Sequence, residues 1–189
     1  MSETPRRDRW FAPTVLAGVA GAALAAVAGS RTWATAQGDA AGLRVRESVT
    51  GADSQPLVVS LALVALASWG VLLVLRGRVR RVVAAVGLLA SVGALAGVVV
   101  GFGGAQDDAV DAAIARGATG DTFVTGLSAW YYLAGVGATV AAVALLVAVL
   151  RAAGWPAMGS RYDAPSARDQ AKTDEDMWRA LDEGRDPTS

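Results

Sequence analysis

Four long apolar stretches dominate the chain, and its polar residues are confined to the segments between them. The stretches cover residues 11–30, 57–75, 82–102 and 127–150, and none contains Asp, Glu, Lys or Arg. A helix rises about 1.5 Å per residue, so ~20 apolar residues cross the ~30 Å hydrocarbon core of a bilayer. None of the stretches has the polar stripe of a soluble surface helix. The pattern therefore predicts an all-α membrane protein with four transmembrane helices embedded in the lipid bilayer.

The polar segments divide the chain into three parts. Residues 1–10 precede the first stretch, residues 11–155 contain the four predicted spans, and residues 156–189 form a polar tail. The first stretch has an alternative interpretation as a signal peptide, because basic residues precede it. It is longer than the ~7–15 apolar residues of a signal sequence, so we expect an uncleaved first helix.

Arginine placement predicts the orientation of the spans. Arginines precede the first stretch, fill a turn at residues 76–81 and follow the fourth stretch. The two other loops contain four arginines, Arg31, Arg44, Arg46 and Arg116, among seven acids. Because cytoplasmic segments retain arginine, both termini and the turn at 76–81 are predicted to be cytoplasmic, in a multi-pass protein of the inner (plasma) membrane.

Aromatic residues cluster near the predicted helix ends, where amphipathic rings favour the headgroup layer. This position predicts interfacial anchors rather than a ligand-binding box. The residues concerned are Trp10, Trp33, Trp130, Tyr131, Tyr132 and Trp155. Trp69 lies within the second stretch and faces either lipid or a neighbouring helix.

The composition removes several classes of function. The chain has no Cys and no His, which excludes disulfides and metal or haem sites that need those side chains. Its net charge is zero, so we expect no nucleic-acid partner. The spans have no ionisable group for ion coupling, and no nucleophile–base pair is evident. We therefore expect no cofactor, no metal and no enzymatic activity.

Small residues in the third stretch predict close helix packing. Gly93, Gly97 and Gly101 are four residues apart, so they lie on one helix face and form a groove for another backbone. The packing partner is either another helix of the chain or a second copy in a homo-oligomer.

The segment after the third stretch contains Asp107, Asp108 and Asp111, in the pattern DDxxD by which some enzymes hold magnesium. The favoured interpretation is structural: acids in the first turn of a short surface helix that ends at Gly117 complement its dipole. These aspartates are therefore only a weak candidate cation site. In the first outer loop, residues 43–51 (LRVRESVTG) alternate as a short strand does, although an extended loop fits equally.

The tail contains a predicted short amphipathic helix at about residues 174–183. Met177, Trp178 and Leu181 cluster at helical spacing, with Gly184 and Pro187 as the stop signals. Such a helix is marginal alone in water, so its apolar face needs a surface. Its many acids disfavour an anionic membrane, which leaves docking to a cytoplasmic protein partner, folding back on the bundle, or a frayed solubilising tail.

Three segments resemble one protein family. Residues 49–56 (VTGADSQP), 155–164 (WPAMGSRYDA) and 177–188 (MWRALDEGRDPT), ordered around four spans, resemble the tryptophan-associated transmembrane proteins of actinobacteria. The resemblance covers nearly the whole chain. It implies a four-helix inner-membrane protein linked to tryptophan metabolism, since genes of this family lie beside tryptophan biosynthesis genes. It supplies no catalytic residues.

Together these features predict a non-enzymatic integral membrane protein that tethers or regulates a cytoplasmic partner through Met177, Trp178 and Leu181. The alternative is an oligomeric facilitative transporter of tryptophan or a related aromatic compound, assembled through the glycines of the third stretch. A weaker alternative is a lipid or envelope enzyme that uses Asp107, Asp108 and Asp111.

Overall fold

A computed structural model of the chain describes residues 10–40, 43–75, 77–119, 123–151, 178 and 182. Its elements, in chain order, are α1 (Phe11–Gly29), β1 (Thr32–Ala40), β2 (Leu43–Thr50), α2 (Gly51–Ser54), α3 (Pro56–Val74), α4 (Gly77–Ala115), β3 (Val124–Leu127) and α5 (Ala129–Arg151). The chain divides into two compact units, Met1–Pro156 and Ala157–Ser189.

Four of these helices, α1, α3, α4 and α5, are long and apolar enough to cross a membrane. The prediction of four transmembrane helices is thus confirmed within the described residues. The helices contact one another in the order α1, α5, α4, α3 and back to α1. One end of this arrangement carries the strands and is called the sheet end. The opposite end, where α1 begins and α5 finishes, is called the arginine end because Arg78, Arg80, Arg81 and Arg151 lie there.

The seam between α1 and α5 is a contact between backbones. A Cβ atom added to Gly21 would lie 2.8 Å from the backbone nitrogen of Ala141, and one added to Gly137 would lie 2.7 Å from that of Ala25. Lipid is as apolar as leucine, so close packing of this kind, rather than exclusion of water, holds helices together in a membrane.

Helix α4 is much longer than the predicted third span of residues 82–102. It contains 39 residues and is therefore about 58 Å long, against the ~30 Å of a hydrocarbon core. It begins at Gly77, so the turn predicted at residues 76–81 is shorter than expected. It also continues beyond residue 102 to Ala115, where Ala105, Ala109 and Ala113 are fully buried against the sheet end. This burial stabilises a helix that the pair Gly103 and Gly104 would otherwise weaken.

Arg80 joins α4 to the end of α3. Its side chain is only 3% exposed, and its Nε donates a hydrogen bond of 3.1 Å to the carbonyl oxygen of Leu72. A cation at the C-terminal end of a helix satisfies carbonyl groups that have no partner within the helix. Arg80 is thus part of the structure of the hairpin between α3 and α4.

The strands form an antiparallel three-stranded sheet with the order β2-β1-β3. Ala36 at the centre of β1 pairs with Glu47 of β2 and with Thr125 of β3. The strand interpretation of residues 43–51 is confirmed for Leu43–Thr50, whereas β1 and β3 were not predicted. Both β1 and β2 pack against the extension of α4. The sheet end is therefore a folded part of the molecule and not a pair of loops, so the predicted all-α class is wrong there and the described chain is mostly helical.

Candidate functional site

Trp33, at the start of β1, is the centre of the sheet-end core. Its side chain is fully buried, and its Nε1 donates a hydrogen bond of 3.0 Å to the carbonyl oxygen of Ala28. The indole lies directly over Gly51, which has no room for a side chain. The interpretation of Trp33 as an interfacial anchor is wrong, because the strand that carries it turns back over the helix ends and encloses it.

Tyr131, near the start of α5, is also buried rather than an interfacial anchor. Its hydroxyl donates a hydrogen bond of 2.5 Å to the carbonyl oxygen of Val98 on α4. Its ring meets that of Trp33 edge-on, with the centroids 5.2 Å apart, and that of Phe102 at 6.0 Å. Tyr131 thus links α5, α4 and the sheet-end core.

The other described aromatic residues at the helix ends, Trp10, Trp130 and Tyr132, have exposed side chains. Two of them pair with arginine: the guanidinium of Arg151 lies 5.8 Å from the ring centroid of Trp10, and that of Arg31 lies 5.6 Å from that of Trp130. The two pairs lie near the opposite ends of α5, at depths that suit interfacial side chains. Trp155 lies outside the described residues.

Asp107, Asp108 and Asp111 are exposed on the part of α4 beside the sheet end. Asp108 Oδ2 accepts a hydrogen bond of 2.5 Å from Ser54 Oγ, at the end of α2. The helix is continuous here, so the prediction that these acids occupy the first turn of a separate helix is wrong, whereas the predicted helix end near Gly117 is confirmed. In the described part of the chain, no three acidic side chains gather into a group that could hold a metal ion.

Gly93, Gly97 and Gly101 face the α3 side of the same chain. Added Cβ atoms would lie 3.0 Å from Leu61 Cδ1, 2.7 Å from Val58 Cγ2 and 3.0 Å from Gln55 Cγ, respectively. The groove that these glycines form on α4 is therefore occupied by side chains at the start of α3.

Trp69 is buried between helices rather than exposed to lipid. Its ring lies against Gly18 of α1, and only 1% of the residue is exposed. No described atom accepts a hydrogen bond from its Nε1, and the buried hydroxyl of Ser91 likewise has no described partner. The hydroxyls of Ser60, Ser68 and Thr139 donate to the carbonyl four residues earlier on their own helices, so they do not mark a polar path.

In the tail, the structure describes Trp178 and Asp182, which are both helical and exposed. Trp178 is 66% exposed within the structure. Met177, Leu181 and the rest of the predicted helix at residues 174–183 lie outside the described residues. Of the three predicted docking residues, the structure therefore places Trp178 alone, as an exposed indole on a helical backbone.

The four apolar helices, with a hydrogen-bonded sheet at one end, define a multi-pass membrane protein. The model of the tryptophan-associated transmembrane protein family matches residues 15–188, which include every described helix except the first residues of α1. The chain belongs to this family. No curated protein and no solved structure matches it.

Proposed function

We propose that this protein is a non-enzymatic scaffold of the plasma membrane, whose tail binds a cytoplasmic protein of tryptophan metabolism. The observation that carries the proposal is the 66% exposure of the Trp178 side chain in a helical segment. Large exposed aromatic residues are enriched among those that contribute most to protein interfaces. Family membership supplies the link to tryptophan.

The helix contacts support a scaffold rather than a transporter. In the α1–α5 seam, the backbones around Gly21 and Gly137 approach too closely to leave space between them. Trp69 of α3 and Leu145 of α5 are also buried within the bundle. A transport pathway between copies of the chain would require the copies to pack through Gly93, Gly97 and Gly101. The face of α4 that carries these glycines is already covered by the start of α3.

The charges at the two ends support a cytoplasmic tail. Residues 1–10, 76–81 and 151–161, which adjoin in sequence the helix ends at the arginine end, contain nine arginines. The two loops of the sheet end contain four, Arg31, Arg44, Arg46 and Arg116, among seven acids. Arginine-rich ends stay on the cytoplasmic side. Since α5 ends at Arg151, the tail that follows would start on that side, where biosynthetic enzymes are found.

The sheet end offers structural rather than catalytic contacts for its polar groups. Asp108 is engaged by Ser54, and Asp53 caps α2 together with Thr50. Each is a hydroxyl–carboxylate contact on the exposed surface, and among the described hydrogen bonds no third group orients either carboxylate as a base, which nucleophilic catalysis would need. These contacts support the non-enzymatic part of the proposal.

A binding measurement with the full-length protein tests this function. The protein is immobilised in mild detergent and each enzyme of tryptophan biosynthesis from the same organism is applied in turn. We expect one of them to bind, and Trp178→Ala to weaken that binding about thirtyfold, as the loss of a ~2 kcal/mol anchor would.

Trp130→Ala is the matched control, because it removes another exposed indole that does not belong to the tail. It should leave the affinity unchanged. Equal affinity of the wild type and Trp178→Ala, or no binding by any of these enzymes, would contradict the proposal. Tryptophan flux into proteoliposomes should equal that of empty vesicles, and a saturable flux would favour the transporter instead.

A further inference from the structure

A cleft lies between α1 and α5 in the half of the bundle nearer the arginine end. Its volume is about 510 Å³, and its lining includes Trp10 just before α1, Thr14 and Ala17 of α1, and Thr139, Val143 and Arg151 of α5. Of the described residues that line it, only Arg151 carries a charge. The cleft is thus apolar along its length and cationic at its mouth.

The length of the cleft corresponds to one leaflet of a membrane. Thr139 and Arg151 are twelve residues apart on α5, which places them about 18 Å apart along the helix axis. Half of a ~30 Å hydrocarbon core is about 15 Å. Arg151 therefore lies at headgroup depth when Thr139 lies near the middle of the bilayer. The Thr139 hydroxyl donates to Gly135, so the deep end is no polar binding site.

Lipid must surround this cleft, because exposed apolar side chains flank it on both helices. Leu16 of α1 and Leu146 of α5 are exposed, and in a membrane such side chains face acyl chains. A narrow apolar cleft that opens among acyl chains accepts one of them most readily. The Arg151 guanidinium lies over the Trp10 ring. A guanidinium stacked on an aromatic face still directs N–H groups from its edge, where they can donate to phosphate oxygens.

From this geometry we infer that the cleft between α1 and α5 binds one anionic phospholipid, with an acyl chain along α5 and its phosphate at Arg151. The binding site belongs to the leaflet at the arginine end. It does not depend on the proposed function of the tail.

The opposite end of α5 provides an internal comparison. Arg31 and Trp130 form a similar cation–π pair there. The cleft on that half of α5, between α4 and α5, encloses about 450 Å³ and contains Tyr131 and Tyr132, but its described lining has no charged residue. Among the described residues that line these two clefts, Arg151 is the only cation. Lipid charge should therefore matter at Arg151 and not at Arg31.

Native mass spectrometry of the full-length protein tests the inference. The protein is mixed with equal amounts of phosphatidylglycerol and phosphatidylcholine that have identical acyl chains. We expect the wild type to retain phosphatidylglycerol about fivefold more than phosphatidylcholine, from the ~1 kcal/mol attraction of one arginine for an anionic headgroup. Arg151→Gln should abolish this preference, whereas Arg31→Gln should keep it.

A second variant tests the cleft itself. Ala17 is exposed in the cleft, so Ala17→Phe fills the space without disturbing buried contacts and should reduce retention of both lipids. Unchanged thermal unfolding of each variant shows that it has folded. If the wild type showed no preference for phosphatidylglycerol over phosphatidylcholine, the inference would be overturned. This is the result expected if the tail or a second copy fills the cleft. Equal loss in Arg31→Gln, or full retention in Ala17→Phe, would overturn it as well.

Discussion

Two buried tryptophans, Trp33 and Trp69, each pack against a glycine, but in different surroundings. Trp33 lies over Gly51 in the sheet-end core, and Trp69 lies over Gly18 between the apolar helices. The Nε1 of Trp33 donates to the carbonyl oxygen of Ala28, whereas that of Trp69 has no described acceptor. One indole is thus held by shape and a hydrogen bond, and the other by shape alone.

The two tryptophans differ in the surface that unfolding exposes around each ring. At the sheet end, opening exposes apolar surface and a polar N–H to water, so both burial and hydrogen bonding contribute. Among the spans, opening exposes the ring to lipid, which is as apolar as the protein interior, and only the fit is lost. Each region therefore responds in its own way to changes in its tryptophan.

The largest expected effect is that of Trp33→Ala. This substitution removes a fully buried ring from between β1, Gly51 and Tyr131, and we expect it to cost ~3–5 kcal/mol of stability. The measurement is the thermal unfolding midpoint of the purified protein in detergent. Trp130→Ala, which removes an exposed indole, is the control and should change the midpoint little. Similar midpoints for the two variants would show that Trp33 is not a core residue.

Phenylalanine substitutions separate shape from hydrogen bonding. Trp33→Phe removes the indole donor to the Ala28 carbonyl, which still accepts from the Arg31 N–H, so the loss of one hydrogen bond adds ~0.5–1.5 kcal/mol to the loss of ring volume. Trp69→Phe loses volume but also removes a buried N–H that has no described partner. We expect Trp33→Phe to be the more destabilising of the two in the same unfolding assay. The reverse order would contradict the distinction between the two regions.

Glycine substitutions sharpen the comparison further. Gly18→Ala and Gly51→Ala should each cost ~1–3 kcal/mol, because the added methyl group overlaps an indole. The nearest atoms to Gly18 all belong to the Trp69 side chain, so the loss of stability caused by Gly18→Ala should be smaller when Trp69 is replaced by Phe. Gly51 also faces the carbonyl oxygen of Gly29, which no side-chain change removes. Double-variant cycles that show equal relief at both positions would contradict this account.

The smallest expected effect concerns the surface of the sheet end. Arg116 Nη1 lies 2.8 Å from Glu47 Oε1, but the Arg116 side chain is 70% exposed. We expect Arg116→Gln to cost ~0.2–1 kcal/mol at low salt and less at high salt. Arg78→Gln, an exposed arginine at the other end, is the control. A cost above that of the glycine variants, or one independent of salt, would contradict a surface ion pair.

The spans were predictable from the sequence, because a run of uncharged apolar residues needs no knowledge of its neighbours. The sheet was not, apart from the alternation in β2. Strand β1 consists largely of small and polar residues, and it pairs with β3, a strand far along the chain. Such pairing depends on tertiary contacts, which a local sequence pattern does not reveal.

The continuation of α4 did have a signal in the sequence. Small residues recur at every fourth position from Gly93 through Gly101 to Ala113, and this stripe runs through the segment that holds the aspartates. Its first part faces the α3 side and its second part lies against the sheet end. The acids were interpreted as the first turn of a separate helix, but burial of the stripe keeps α4 continuous, even through the low helix propensity of Gly103 and Gly104.

The candidate docking residue Trp178 was predictable because helical spacing and exposure of a polar tail are local properties. Trp33 was misplaced because depth alone does not distinguish a ring at the interface from one enclosed by a strand. The burial of Trp33 depends on Tyr131 and Gly51, which are distant from it in the sequence.

The central proposal is that the tail of this membrane protein contacts a soluble protein through Trp178. Photo-crosslinking in native membranes tests it most directly, with p-benzoylphenylalanine placed in the full-length protein at position 178 or, as the control, at position 130. The account predicts a light-dependent adduct with a soluble cytoplasmic protein from position 178 and none from position 130. Adducts only with lipid or with a second copy of the chain from position 178 would contradict it.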